Sequence, residues 1–188
     1  MRAMILEFPD DPACDYLDRQ YMFGDSLLVA PVFTSSGQVE YYVPAGRWTN
    51  LLTGNVVQGP AWVHETHGFM SLPLMARPNS IIPVGSHDDV PNYDFSEGVT
   101  LQCYELEDGK SSEVVIPSLD GEIETIFLVC RADKTIHISR LGPSREWQVL
   151  LVGIQTIRSA KDAEILQTPQ GSLVKPGKFT NGLSIELD

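Results

Sequence analysis

Four groups of side chains in this 188-residue sequence have types and spacings that could do chemistry. The first is the carboxylate cluster Asp10, Asp11, Asp15 and Asp18. Clustered carboxylates can serve as an acid/base pair or hold calcium. The calcium-loop pattern of alternating oxygen ligands, central Gly and terminal Glu is missing here. A catalytic pair needs opposed placement across a sugar, which neighbours on one solvated turn do not supply. With Pro12 among them, these residues read as a helix start, where Pro is tolerated and carboxylates are favoured. The second group, His64 and His67 in the run H-E-T-H, is one residue shorter than the zinc motif H-E-x-x-H. On a strand, residues three apart face opposite sides, so no shared metal is expected. The third group is aromatic: Tyr41, Tyr42, Trp48 and Trp62. Aromatic faces stack on sugars, but in a small β-domain they are more often core or cross-strand partners. The core reading is preferred, and an exposed coplanar pair such as Trp48 with Trp62 would favour the sugar. The fourth is Cys14, Cys103 and Cys130, an odd count with no tight spacing. Cys103 and Cys130 lie in apolar β-patterned segments and are expected to be buried thiols, with a Cys103–Cys130 bridge as the alternative.

These groups must be positioned by elements that the hydrophobic pattern suggests. Residues 1–8 are apolar except for Arg2 and Glu7, and Pro9 ends the run. A strand apolar on both faces belongs in a covered parallel sheet, which needs neighbours joined by long crossovers. Such neighbours are expected to lie outside this polypeptide. Leu17, Tyr21 and Met22 fall at helical spacing, with Gly24 placed as a C-cap. Beyond Gly24 the chain reads as all-β, with no helix and no internal repeat. Val39, Tyr41 and Val43 alternate with Glu40 and Tyr42, the period-two mark of a strand. Pro44-Ala45-Gly46 and Thr53-Gly54-Asn55 are expected turns. Strands are expected over residues 47–52, 62–67, 71–76 and 81–84, and the polar segment 86–97 is expected to link two β-domains. In the second half Val99, Leu101 and Cys103 alternate, Asp108-Gly109 signals a hairpin, and Ile123, Thr125, Phe127 and Val129 share a face. Strands at 135–139 and 147–154, and one carrying Leu183, Ile185 and Leu187, complete the pattern.

Composition sets bounds. A hydrophobic content of 43% with 15 Gly and 13 Pro suits a turn-rich globular β fold. A formal charge of −12 argues against nucleic acid, whose binding relies on Lys and Arg neutralising phosphates. No apolar run approaches the ~20 residues of a membrane-spanning helix, so no membrane partner is expected. No cofactor or metal is expected either. The compartment stays open, with the cytoplasm favoured.

The blocks MRAMILEFPDD, QYMFGDSLLVAPV, YYVPAGRWTNLLTG and SLPLMARPNSIIPVG occur in that order over residues 1–85. Together they resemble the C-terminal third of glycoside hydrolase family 31, most of all its α-xylosidase branch. Residues 91–188 carry no such motif and match only the family's layout, in which a further β-domain closes the chain. The resemblance implies a mainly β chain: the end of a (β/α)8 barrel over residues 1–25, then β-sandwiches over 26–88 and 89–188. It implies retaining hydrolysis of α-linked xylosyl or glucosyl residues by the full-length enzyme, and a homo-oligomer. In this family the catalytic aspartates and the substrate-binding arginine and histidine lie upstream of these blocks. No catalytic residue is therefore assigned, and substrate-binding residues stay unknown. Arg2, the charged residue in the barrel strand, is expected to pair with a carboxylate rather than orient an active-site loop. The chain is expected to be inactive alone and structural in the whole enzyme. The alternative is a carbohydrate-binding module.

Overall fold

The computed structural model describes residues 1–177 and 180–188. The chain is mainly β and divides into two compact units, Met1–Pro78 and Asn79–Asp188.

The first unit holds one six-stranded sheet. Its strands are β1 (Arg2–Ala3), β2 (Tyr21–Phe23), β3 (Leu27–Val29), β4 (Gln38–Asn50), β5 (Val56–Thr66) and β6 (Leu74–Ala76), arranged β1-β2-β3-β6-β4-β5. The opening run is not the single strand its apolarity suggested. Only Arg2 and Ala3 pair, antiparallel to Tyr21 and Met22, and Met4–Glu7 forms a four-residue helix, α1. Met, Leu and Glu are strong helix formers and the run holds one β-branched residue, so local propensity favours that turn. Met4 is fully buried, while Ile5 and Leu6 are exposed. The helix expected through Leu17 and Met22 is also absent. Pro12–Cys14 makes a short 3-10 turn, and the aromatic run Tyr21–Phe23 is the strand β2, held between β1 and β3. Gly24 (φ +62°) turns the chain from β2 into β3 instead of capping a helix.

Pro44-Ala45-Gly46 is a bulge inside the 13-residue strand β4, not a turn between strands. A bulge tolerates Pro because the ladder is interrupted there. Gly46 (φ +121°) lies opposite Gly59, where an added Cβ would run into the Pro44 carbonyl. The bend buries both Tyr41-Tyr42-Val43 and Trp48-Thr49-Asn50, and the Trp48 indole N–H donates to the Pro44 carbonyl at 3.0 Å. The core of this unit gathers Met4, Met22, Leu28, Tyr41, Val43, Trp48 and Met75.

In the second unit, β7 (Ser80–Val84), β8 (Val99–Tyr104), β12 (Trp147–Val152), β14 (Ala163–Thr168) and β15 (Gly171–Pro176) form one sheet, ordered β14-β15-β12-β8-β7. The other sheet has β9 (Ser111–Pro117), β10 (Ile123–Ala132), β11 (Thr135–Leu141), β13 (Ile157–Ala160) and β16 (Gly182–Leu187), ordered β13-β16-β11-β10-β9. Buried residues of both sheets, among them Leu101, Phe127, Ile136, Trp147, Leu151 and Ile185, make one core. Residues 86–97 join β7 to β8, antiparallel neighbours in one sheet, rather than bridging two domains. Asp108-Gly109 carries the chain from β8 to β9, which belong to different sheets, so it makes no hairpin. Thr125, Phe127 and Val129 face the core as expected, but a register shift after Ile123 turns that residue out to 66% exposure.

Candidate functional site

Each chemistry-bearing group has a definite place. Among the carboxylates, Asp11 acts at the level of local structure. Its side chain accepts from the Ala13 N–H at 3.1 Å, capping the 3-10 turn, and from the Tyr42 hydroxyl at 2.8 Å. Burial, then that bond to Asp11, pushes the Tyr42 phenol up to about 12. Arg2 bonds the carboxylates of Glu7 and Asp25, and Arg77 also bonds Glu7 while lying 5.0 Å above the Phe8 ring. The hydrogen bond to Asp25 and the charge of Glu7 raise the Arg2 guanidinium further above its ordinary value.

His64 lies on β5 and His67 just beyond its end, and the two have different partners. His64 Nε2 is 3.5 Å from Glu40, whereas His67 lies between Ser71 (3.1 Å) and Glu65 (2.9 Å). Among the described residues no group of three or more metal-ligating side chains comes together. Cys14 and Cys103 are buried, and burial raises their thiols to about 11 and about 12. Cys130 is exposed on the outer face of β10, against the expectation of a buried thiol. The strand alternates, and Cys130 shares the parity of exposed Leu128 rather than of Phe127 and Val129. All three thiols are free.

The aromatic group divides. Tyr41, Tyr42 and Trp48 are core residues, whereas Trp62 is 52% exposed and leans on Tyr42 with ring centroids 5.4 Å apart. Trp62 borders a cavity of about 220 Å³ together with Tyr16, Phe33, Asp18, Arg19 and Glu40. Tyr16 and Phe33 are exposed as well, at 93% and 69%. A second depression, of about 460 Å³, shares Arg19, Thr34, Gln38, Val39 and Glu40 with the first and ends at His64. The two make a continuous groove over β4 and β5.

The walls of this groove are fixed. The buried Gln20 amide donates to the Tyr42 carbonyl at 2.8 Å and accepts from the Tyr42 N–H at 2.7 Å, so residues 16–20 are tied to β4. Thr34 Oγ1 donates to the Gln38 carbonyl at 2.6 Å, which ties the other wall. Sequence reasoning named Trp62 and Asp18 for chemistry and Glu40 only as a strand position, and it named neither Tyr16, Arg19 nor Phe33. These residues come from four separate segments, and no spacing could have joined them.

The second unit has a groove of about 930 Å³ on the outer face of β9, β10, β11 and β16. Ser111, Cys130, His137 and Ser184 form one row across the four strands, with His137 Nδ1 3.0 Å from Ser184 Oγ.

Comparison with known proteins gives two family matches that follow one another along the chain. Residues 1–82 match the model described as the glycosyl hydrolase family 31 C-terminal domain. Residues 94–187 match the model described as the C-terminal domain of alpha-xylosidase YicI. The chain is 37% identical over 145 residues to alpha-xylosidase XylQ of Lactiplantibacillus pentosus, an alignment covering 76% of this chain and 19% of that protein. It is 33% identical over 175 residues to an alpha-glucosidase of Saccharolobus solfataricus, covering 93% of this chain and 22% of that protein. The chain thus spans about a fifth of the length of these curated relatives. Its fold is similar to that of the Flavobacterium johnsoniae GH31 dextranase FjDex31A complexed with isomaltotriose. The TM-score is 0.79 at 18% identity, over 99% of this chain and 29% of that one.

Proposed function

The chain belongs to glycoside hydrolase family 31, and from that premise we propose that it serves as the C-terminal β-region of a retaining α-glycosidase of the α-xylosidase type. The two consecutive family matches carry this reading, the second being named for an α-xylosidase. In such an enzyme one carboxylate attacks the anomeric carbon. A second protonates the leaving oxygen and then activates water, the two standing ~5–5.5 Å apart. Those groups come from the C-terminal ends of barrel strands. The described residues contain no barrel, and α1 is the one α-helix among them. The role that fits this chain is to support the catalytic part rather than to cleave.

The surface supports that role. On the first unit Met1, Leu6, Phe23, Phe69 and Met70 are each more than half exposed. Soluble proteins seldom leave so much large apolar surface uncovered unless a neighbour covers it. The ion-paired group Arg2, Glu7, Asp25 and Arg77 would then fix the strand and helix at the start of the chain, with 1–25 closing a barrel as the family layout implies. The second reading, an α-glucosidase, draws on the longer alignment to the S. solfataricus enzyme. Both readings predict the same result for this chain alone. Incubated with p-nitrophenyl α-xyloside and p-nitrophenyl α-glucoside, it should release nitrophenol at the buffer rate. Release above that rate, lost on heat unfolding, would overturn the non-catalytic assignment.

A further inference from the structure

We infer that the groove over β4 and β5 of the first unit is a carbohydrate-binding site, with Trp62 as its stacking platform. Of the three tryptophans, Trp48 and Trp147 are buried and only Trp62 presents a large face to solvent. Tyr16 and Phe33 stand at the same depression, so three exposed aromatic rings border one cavity. Scattered single apolar residues on a surface need no explanation, but a cluster around a concavity marks a binding site. The faces of these rings carry the negative end of a quadrupole and attract the weakly positive C–H face of a pyranose.

The polar groups in the groove narrow the ligand further. Arg19 supplies a planar fork of donors, and among the described residues it has no hydrogen-bond or ion-pair partner of its own. Asp18, Glu40 and the Gln38 side chain supply acceptors beside it. A sugar hydroxyl both donates and accepts, so vicinal hydroxyls can satisfy a guanidinium and a carboxylate together. Two carboxylates against one guanidinium do not suit a phosphate, which calls for an excess of donors and positive charge. No metal-ligating cluster is present among the described residues. The smaller depression, about 220 Å³, is of monosaccharide scale, and the adjoining 460 Å³ leaves room for linked sugar units.

The site is preorganised. Trp62 is backed by Tyr42, and the Tyr42 hydroxyl is anchored on Asp11. Both walls are tied to β4 by the Gln20 and Thr34 bonds already described. Little ordering entropy remains to be lost when a ligand binds.

The preference for α-linked sugars rests on the family reading; the site itself does not. The test titrates the intact chain with isomaltotriose, maltotriose and a xyloglucan heptasaccharide, read by calorimetry and by tryptophan emission. Saturable binding with a Kd on the order of 1 mM is expected for at least one of them. Trp62→Ala should weaken it by at least ~10-fold, and Trp62→Phe should retain part of it. Amide shifts in the NMR spectrum should map to Tyr16, Arg19, Phe33 and Glu40, a readout independent of any variant's folding. Absence of saturation with all three sugars, or binding that Trp62→Ala leaves unchanged, would overturn the proposal. Neither negative bears on the turnover assay above, which fails or succeeds on its own.

Discussion

At the residue scale, alternation along a strand decides which thiol meets solvent. Cys103 lies on the inner face of β8 and Cys14 beneath the first sheet, while Cys130 points outward from β10. A native chain treated with a thiol reagent at pH 8 should therefore be labelled at one cysteine, Cys130, and a denatured one at all three. Mass spectrometry of the labelled peptides checks this, and rapid labelling of Cys103 would contradict the placement of β8. The sequence made Cys103 legible, because Val99, Leu101 and Cys103 keep one parity. It misled at Cys130, because the segment around it is apolar on both faces. The aromatic residues teach the same lesson. Three of four were readable as core, but Trp62 keeps the exposed parity of Gln58, His64 and Thr66 along β5. The groove residues Tyr16, Arg19, Phe33 and Glu40 had no signal at all, since tertiary folding alone brings them together.

At the element scale, the regular antiparallel strands were largely legible and the irregular connections were not. Tyr21–Phe23 shows why. Its helical spacing competed with its aromatic β propensity, and pairing with β1 and β3 settled the matter. The strands β13 and β14 went unseen because Ile157–Ala160 and Ala163–Thr168 have no buried stripe to betray them, and β15 because its buried positions include Gly171 and Ser172. The connection between β7 and β8 is held by its own polar chemistry. Asp94 accepts from the Ser96 N–H and hydroxyl at 3.0 and 2.7 Å and from Arg145 at 2.6 Å. Burial works against the Asp94 carboxylate, but the bonds from Ser96 and Arg145 outweigh it and hold its pKa below the ordinary value. A depressed folded-state pKa gives stability that is present above the unfolded value, ~3.9, and is lost as pH falls through the folded one. Asp94→Asn should lower the denaturation midpoint at pH 7 and flatten the loss of stability below about pH 4. An acid limb identical to that of the original chain would show that this loop contributes nothing.

At the scale of the whole molecule, the division of labour is between a first unit with a broad exposed apolar surface and a second unit with a closed two-sheet core. The family resemblance was readable from four sequence blocks in the first 85 residues, whereas the second half showed only a pattern of strands. That asymmetry is physical. The blocks combine turn glycines, prolines and buried aromatics whose positions the fold restricts, and the second sandwich needs only apolar alternation that many sequences supply.

The central claim is that this chain supplies the supporting β-region of a family 31 α-glycosidase and not its chemistry. The most direct measurement replaces the matching C-terminal region of XylQ with this chain and follows α-xyloside hydrolysis beside intact XylQ and a version lacking that region. The account predicts that the shortened enzyme is inactive and that the graft recovers hydrolysis to within about tenfold of XylQ, a difference of ~1.4 kcal/mol in transition-state stabilisation. A soluble, folded graft with no hydrolysis, or full activity in the shortened enzyme, would contradict it.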